Sequence, residues 1–241
     1  MSGAPRESLH VVLPVYDEEA SIERVCAEWL PVLRASGAEL RLRAVNDGSR
    51  DRSLELLRRI AERNPELEVT DQANRGHGAS CVAGYRAAIA SGADWILQID
   101  SDGQCDPRHF PALWAARHEH CVVFGHRRRR DDGWARWGIS RAVSVVGWIA
   151  AGTWVRDANV PYRLVRSDLL ARALEGFPES FHLANVLLAI RLQRLAGIHW
   201  VPIGFRVRHG GTPSIRAGSF LRQGRRLLAE LRAERRRAAP G

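Results

Sequence analysis

Apolar positions in the first half of the chain switch repeatedly between short runs and helically spaced sets. Leu9 to Val15 is a short apolar run, and Ile22, Val25, Cys26, Trp29 and Leu33 then recur at helical spacing. Leu40 to Val45 reads as a second strand, Asn46 to Ser49 as a turn, and Leu54, Leu57, Ile60 and Ala61 as a helix that stops at Asn64-Pro65. The unit then repeats. Leu67 to Thr70 is a weak strand, Asn74 to Gly78 a glycine-containing loop, Ala79 to Ala90 a helix closed by Ser91-Gly92, and Trp95 to Ile99 the clearest buried strand. Pro107 to His118 reads as a helix and Cys121 to Phe124 as one more strand. Strands alternating with helices on short loops predict an α/β fold with parallel pairing, a Rossmann-like sheet covered on both faces.

Beyond Gly125 the rhythm breaks. Four arginines are followed by a tryptophan-containing apolar stretch, a Pro161-Tyr162-Arg163 segment, a helix near Ala184 to Leu195, and a basic tail. The chain therefore divides near Gly125 within one compact unit, into 1–125, 126–216 and a tail over 217–241. The most apolar stretch, Ala142 to Val155, has 14 residues, short of the roughly 18 needed to span a bilayer. No transmembrane helix is expected. In the tail, Phe220, Leu227, Leu228 and Leu231 share one helical face while Arg222, Arg225, Arg226 and Arg232 fall mostly elsewhere. Such a helix suits an anionic membrane surface or simple packing on the domain.

Composition adds less. With 45% apolar and 26% charged residues the chain is an ordinary globular one. The 36 basic residues against 27 acidic ones leave +9, and every basic residue is an arginine. Codon bias explains the missing lysine; the physical consequence is a supply of forked donors that suit phosphates and carboxylates. From Arg206 onward ten arginines face only Glu230 and Glu234. A pI near 10.7 would also fit nucleic acid, but no nucleic-acid motif accompanies the charge, and that class is disfavoured. Cys26, Cys81, Cys105 and Cys121 form no C-x-x-C pair and follow no signal peptide, which predicts reduced thiols in a cytoplasmic protein, soluble or peripheral on the inner face of the membrane.

The candidate chemistry gathers where strands end. Trp95 to Ile99 runs into Asp100-Ser101-Asp102-Gly103-Gln104, and residues two apart in extended chain point the same way, so two carboxylates converge. Oxygen ligands of this kind suit Mg²⁺ or Mn²⁺. Tyr16-Asp17-Glu18, Asn46 to Ser49 and Gln72 to Gly78 follow the other strands, and open α/β sheets bind ligands in the crevice at that edge. Gly76 and Gly78 would let backbone approach a phosphate at a helix N-terminus, with His77 between them. Among the histidines, His77 and His209 are candidates for ligand contact, whereas His109, His118 and His120 read as surface decoration.

In this order and spacing, Val11 to Glu18, Asn46 to Asp51, Asn74 to Gly78 and Asp100 to Gln104 resemble the inverting glycosyltransferases of family 2, with the GT-A fold. Asp157 followed by Pro161-Tyr162-Arg163, and Arg206 to Ser214, are most similar to the dolichyl-phosphate and polyprenyl-phosphate sugar synthases. The resemblance implies a nucleotide-sugar-binding half over 1–125 and an acceptor half over 126–216. It places Pro14, Tyr16, Glu18 and Asp47 against the nucleotide, with Gly76, His77, Gly78, Ser101 and Arg206 also on the donor, and a metal on Asp100, Asp102 and Gln104. It implies that Arg127, Arg141, Arg163 and Arg208 face the acceptor. Asn46 departs from the acid usual there.

The expected activity is transfer of a sugar, with inversion, from a nucleotide diphosphate donor to a polyprenyl phosphate. The segment Phe181 to Val186, where many relatives carry a catalytic acid, has none here, and a phosphate acceptor needs no base. The alternative is a small-molecule hydroxyl acceptor, with Asp157 as the base. A nucleotidyltransferase is disfavoured, because the glycine-rich, lysine-containing opening loop of such enzymes is absent.

Overall fold

The computed structural model describes residues 6–127, 152–178 and 184–206, together with residue 229. Seven strands form one sheet: β1 (Ser8–Val15), β2 (Glu39–Asn46), β3 (Leu67–Asp71), β4 (Trp95–Gln98), β5 (Val122–Arg127), β6 (Arg163–Arg166) and β7 (His199–Ile203). Their order is β3-β2-β1-β4-β6-β5-β7. The helices are α1 (Ile22–Arg34), α2 (Ser53–Ala61), α3 (His77–Ala90), α4 (Phe110–Ala116), α5 (Ser167–Ala173) and α6 (Ala184–Ala196), with a 3₁₀ turn over Pro107–His109 ahead of α4.

The first half follows the sequence expectation closely because each element carries its own period. In α1, Ile22, Val25, Cys26, Trp29, Leu30 and Leu33 are buried, a stripe at i, i+3, i+4 and i+7. β1 is buried along nearly its whole length, as a strand must be when it has neighbours on both edges and helices on both faces. Gly84 lets α3 lie directly on this strand: a Cβ there would stand 2.4 Å from Val12 Cγ1.

The second half departs from a simple parallel sheet. β6 enters between β4 and β5 and runs antiparallel to both, while β5 and β7 are parallel. β6, α5 and β7 were not expected: the four residues of β6 are too few to show a period, and β7 carries Pro202. Gly125 lies inside β5, so the two halves share one sheet. Because β4, β5 and β7 all run opposite to β6, the ends of β1, β4 and β5 and the start of β6 fall on the same sheet edge. An aromatic seam joins the halves beneath: Trp29 of α1 packs edge-on against Tyr162 at 5.4 Å and Phe110 at 6.4 Å. Such pairs add about 0.5–1.5 kcal/mol each beyond area burial.

Candidate active site

Loops at that edge are held by side chains that reach across to backbone. Ser101 Oγ donates to the Pro14 carbonyl at 2.8 Å, and Ser21 Oγ donates to the Ser101 carbonyl at 2.9 Å. The Glu18 carboxylate is buried and accepts from Ser21 Oγ at 2.7 Å. Asp47, also buried, accepts from Gln72 Nε2 and Arg75 N–H on one oxygen and from Gly76 N–H on the other, at 2.8–2.9 Å. Asn46 donates to Asp71 and accepts from Ser49. The carboxylates of Glu18 and Asp47 are thus used inward, where donors of the loops would otherwise be buried without partners. Tyr16 stays half-buried at the rim. Asp17 beside it adopts a left-handed φ of 51°, a conformation Asp tolerates better than most residues, and its carboxylate caps Arg50 N–H at 2.7 Å.

Asp100 and Asp102 follow β4 as expected. Asp100 Oδ1 is buried and has no hydrogen-bond partner, while Asp102 Oδ1 accepts from Gln104 N–H at 3.0 Å. A buried carboxylate oxygen without a donor is costly unless a cation meets it. The oxygen chemistry of Asp100 and Asp102 thus fits a hard divalent ion, although no three of the described His, Cys, Asp or Glu residues close around one point. Gln104 turns its amide nitrogen to the Arg206 carbonyl at 3.4 Å.

Gly76, at φ 89°, turns the chain into α3, whose first residue His77 is half-exposed at the crevice, while Gly78 is buried in the helix. His77 Nε2 lies 3.5 Å from Cys81 Sγ and 3.8 Å from Asp100 Oδ1. Cys81 first, and Asp100 after it, hold the imidazole pKa above its ordinary value. Below, Tyr85 donates its hydroxyl to Gln98, a contact missed in the sequence although one glutamine in an apolar strand was the signal for it. Burial raises the Tyr85 pKa and keeps that hydroxyl protonated.

Arginines dominate the β5–β6 side of this edge. Arg127, at the end of β5, grips Asp157 with two parallel hydrogen bonds of 2.7 Å. Asp157 is 5% exposed, so a base role would require it to leave this pair. Arg163, expected to face the acceptor, is 1% exposed and donates to the carbonyls of Val160, Asn185 and Ala158. Arg206 pairs with Glu28 and Asp106, both acids far from it in sequence. Against burial, Arg24 and then Arg206 hold the Glu28 carboxyl below the usual range, and Arg206 with the Arg108 N–H does the same for Asp106. His109, expected on the surface, accepts from Gly204 N–H at 2.9 Å and so helps fasten the 204–206 segment to the loop after Gln104. Arg141, Arg208 and His209, most of the apolar stretch Ala142 to Val155, and all of the tail helix but Ala229 lie outside the described residues.

Among the described residues no helix is long and apolar enough to cross a membrane. The family described as Glycosyl transferase family 2 matches residues 10–172. An undecaprenyl-phosphate 4-deoxy-4-formamido-L-arabinose transferase of Pseudomonas paraeruginosa is 33% identical over 178 residues, which is 72% of this chain and 51% of that protein. The Proteus mirabilis protein of the same description is 30% identical over 168 residues, 68% of this chain and 51% of its own length. This chain thus spans about half the length of these curated relatives. Among solved structures, glucosyl-3-phosphoglycerate synthase of Mycobacterium tuberculosis, with Mn²⁺, uridine-diphosphate-glucose and phosphoglyceric acid, superposes with a TM-score of 0.69 at 21% identity. That likeness covers 94% of this chain and 80% of that one, and it shows a shared GT-A fold.

Proposed function

The chain belongs to glycosyl transferase family 2, and on that premise we propose that it transfers a sugar, with inversion, from a nucleotide diphosphate donor to a polyprenyl phosphate. The observation that carries the acceptor is the Arg127–Asp157 pair. Both oxygens of Asp157 accept from one guanidinium, so this carboxylate serves as an orienting group rather than as a base for a hydroxyl. A phosphate acceptor is already ionised and needs no base. Arg127, kept planar and in place by Asp157, is suited to receive that phosphate. The curated relatives are described as acting on undecaprenyl phosphate, which supports the same reading.

On the donor side, the N-terminus of α3 and the Gly76 turn offer backbone donors and a favourable dipole to the diphosphate. Pro14 and Tyr16, with Ser101 holding the strand ends together, form the wall against which a nucleotide would lie. Asp100 and Asp102, with Gln104 beside them, would hold Mg²⁺ or Mn²⁺; when bound, the ion supplies Lewis-acid stabilisation of the departing diphosphate. Asp47 and Glu18 act one step back, keeping the loops in place. An acceptor in a membrane would make the chain a peripheral protein on the inner face, and the exposed Trp154, three residues before Asp157, is suited to that setting.

The test is calorimetry with UDP and GDP, each with and without Mn²⁺, followed by transfer from the matching nucleotide sugars to undecaprenyl phosphate in detergent or to glycerol 3-phosphate. Metal-dependent nucleotide binding and a lipid-linked product are expected. Transfer only to the small hydroxyl acceptor would reverse the choice of acceptor, and no nucleotide binding would remove the donor assignment.

A further inference from the structure

We propose that Arg163 is a positioning residue, whose buried guanidinium sets the acceptor side of the crevice beneath the Arg127–Asp157 pair. The proposal rests on the acceptor reading above. Arg163 opens β6, in register with Gln98 of β4 on one side and Phe124 of β5 on the other. It therefore sits mid-sheet, directly below the strand end that carries Asp100. Its Nε donates to the Val160 carbonyl at 2.6 Å, Nη2 to Ala158 at 2.8 Å and Nη1 to Asn185 at 2.8 Å. The guanidinium carbon lies 4.8 Å from the centre of the Phe124 ring.

Among the described residues no carboxylate forms an ion pair with this guanidinium, which is unusual for an arginine so completely buried. For stability alone, an apolar side chain in a central strand would serve as well. Two things are gained instead. One is geometric: the planar fork locks three carbonyls from two segments distant in sequence, the residues just after Asp157 and the first turn of α6. The other is electrostatic: the buried charge makes no ion pair among the described residues and lies near enough to Tyr85, Cys81, Asp157 and Asp100 to interact with them, the last two on the two sides of the crevice. The same side chain thus fixes the loop that holds Asp157 and lays positive potential where phosphates are to meet.

The experiment uses the full chain with Arg163→Lys, which keeps the charge and loses the fork, and Arg163→Gln, which loses the charge. UDP with Mn²⁺ probes the donor side and farnesyl phosphate the acceptor side, both by calorimetry, and amide hydrogen exchange reports on the loop. For Arg163→Lys, UDP affinity should stay within about threefold of the parent, farnesyl phosphate should bind at least ~10-fold more weakly, and faster exchange should be confined to 157–162 and 184–189. Arg163→Gln should weaken farnesyl phosphate further. Equal losses for both ligands, or a lower Tm with both affinities unchanged, would make Arg163 a purely structural residue and overturn the proposal. If the parent binds UDP but not farnesyl phosphate, the acceptor reading fails by itself. The exchange pattern then decides the clamp: confined acceleration upholds it and uniform acceleration refutes it.

Discussion

On the side of the crevice proposed for the donor, hydroxyls and single carboxylates hold strand-end loops through backbone groups: Asp47 on Arg75 and Gly76, Ser101 on Pro14, Asp17 on Arg50. On the side proposed for the acceptor the same work falls to guanidinium groups, with Arg127 on Asp157 and Arg163 on three carbonyls; Arg206, expected on the donor, likewise grips Glu28 and Asp106. Loss of a hydroxyl or one carboxylate oxygen on the donor side loosens a loop that water can still reach. Loss of one partner on the acceptor side strands a charge with little water to receive it. The two sides should therefore fail differently, the first mainly in affinity and the second in stability as well as in acceptor affinity.

The largest effect is expected from Arg127→Met, which takes both hydrogen bonds of Arg127 away from the buried Asp157. Denaturant unfolding should show a loss of about 3–5 kcal/mol, much of it recovered when Asp157→Leu is added. Next comes Asp102→Ala. It should cost roughly 100-fold or more in transfer rate and abolish the Mn²⁺ dependence of UDP binding, with a Tm close to the parent's. Unchanged metal-dependent affinity would remove Asp102 from the site.

A third expectation concerns pH and sits under the donor side. Burial first, then Arg43 and Arg41, push the buried His10 down to about 4 from an ordinary 6.5. The folded state therefore favours neutral His10, so its contribution is complete above pH 6.5 and is lost as pH falls toward 4. At pH 5 the loss is on the order of 2 kcal/mol, and unfolding curves of His10→Gln should lack that step. The smallest effect belongs to Asp47→Asn, which weakens the acceptors for Arg75 and Gly76 N–H. It should cost about 1–2 kcal/mol and weaken UDP binding several-fold while leaving acceptor affinity unchanged. If Asp47→Asn instead destabilised as strongly as Arg127→Met, the contrast between the two sides would fail.

The same contrast decides how much was legible in the sequence. β1 to β4 and their helices announce themselves, because each repeats its apolar period within its own span and ends in turn residues. Asp100 and Asp102 could be placed for the same reason: they follow the most apolar strand. What sequence does not carry is direction. Asp47 stands in a motif, yet its carboxylate points to the Arg75 and Gly76 N–H groups that only the folded backbone presents, while Glu18 turns to the nearby Ser21 hydroxyl. β6 was missed because four residues show no period, and with it the true setting of Arg163, whose partners Ala158 and Asn185 belong to different segments. The pairing of Arg206 with Glu28 spans 178 positions, and no local pattern announces it. Gln98 did leave a signal, a lone amide in a buried strand, that points to the Tyr85 contact.

The most direct test of the account is the turnover of Asp157→Asn with undecaprenyl phosphate, measured at saturating acceptor across pH 6 to 9. Asparagine keeps one acceptor for Arg127 and removes any capacity to take a proton. The account predicts a raised KM for the lipid phosphate, a kcat within about tenfold of the parent's, and a pH profile of unchanged shape. A kcat lower by roughly a thousandfold or more, with the loss of one limb of that profile, would make Asp157 the base and its acceptor a hydroxyl.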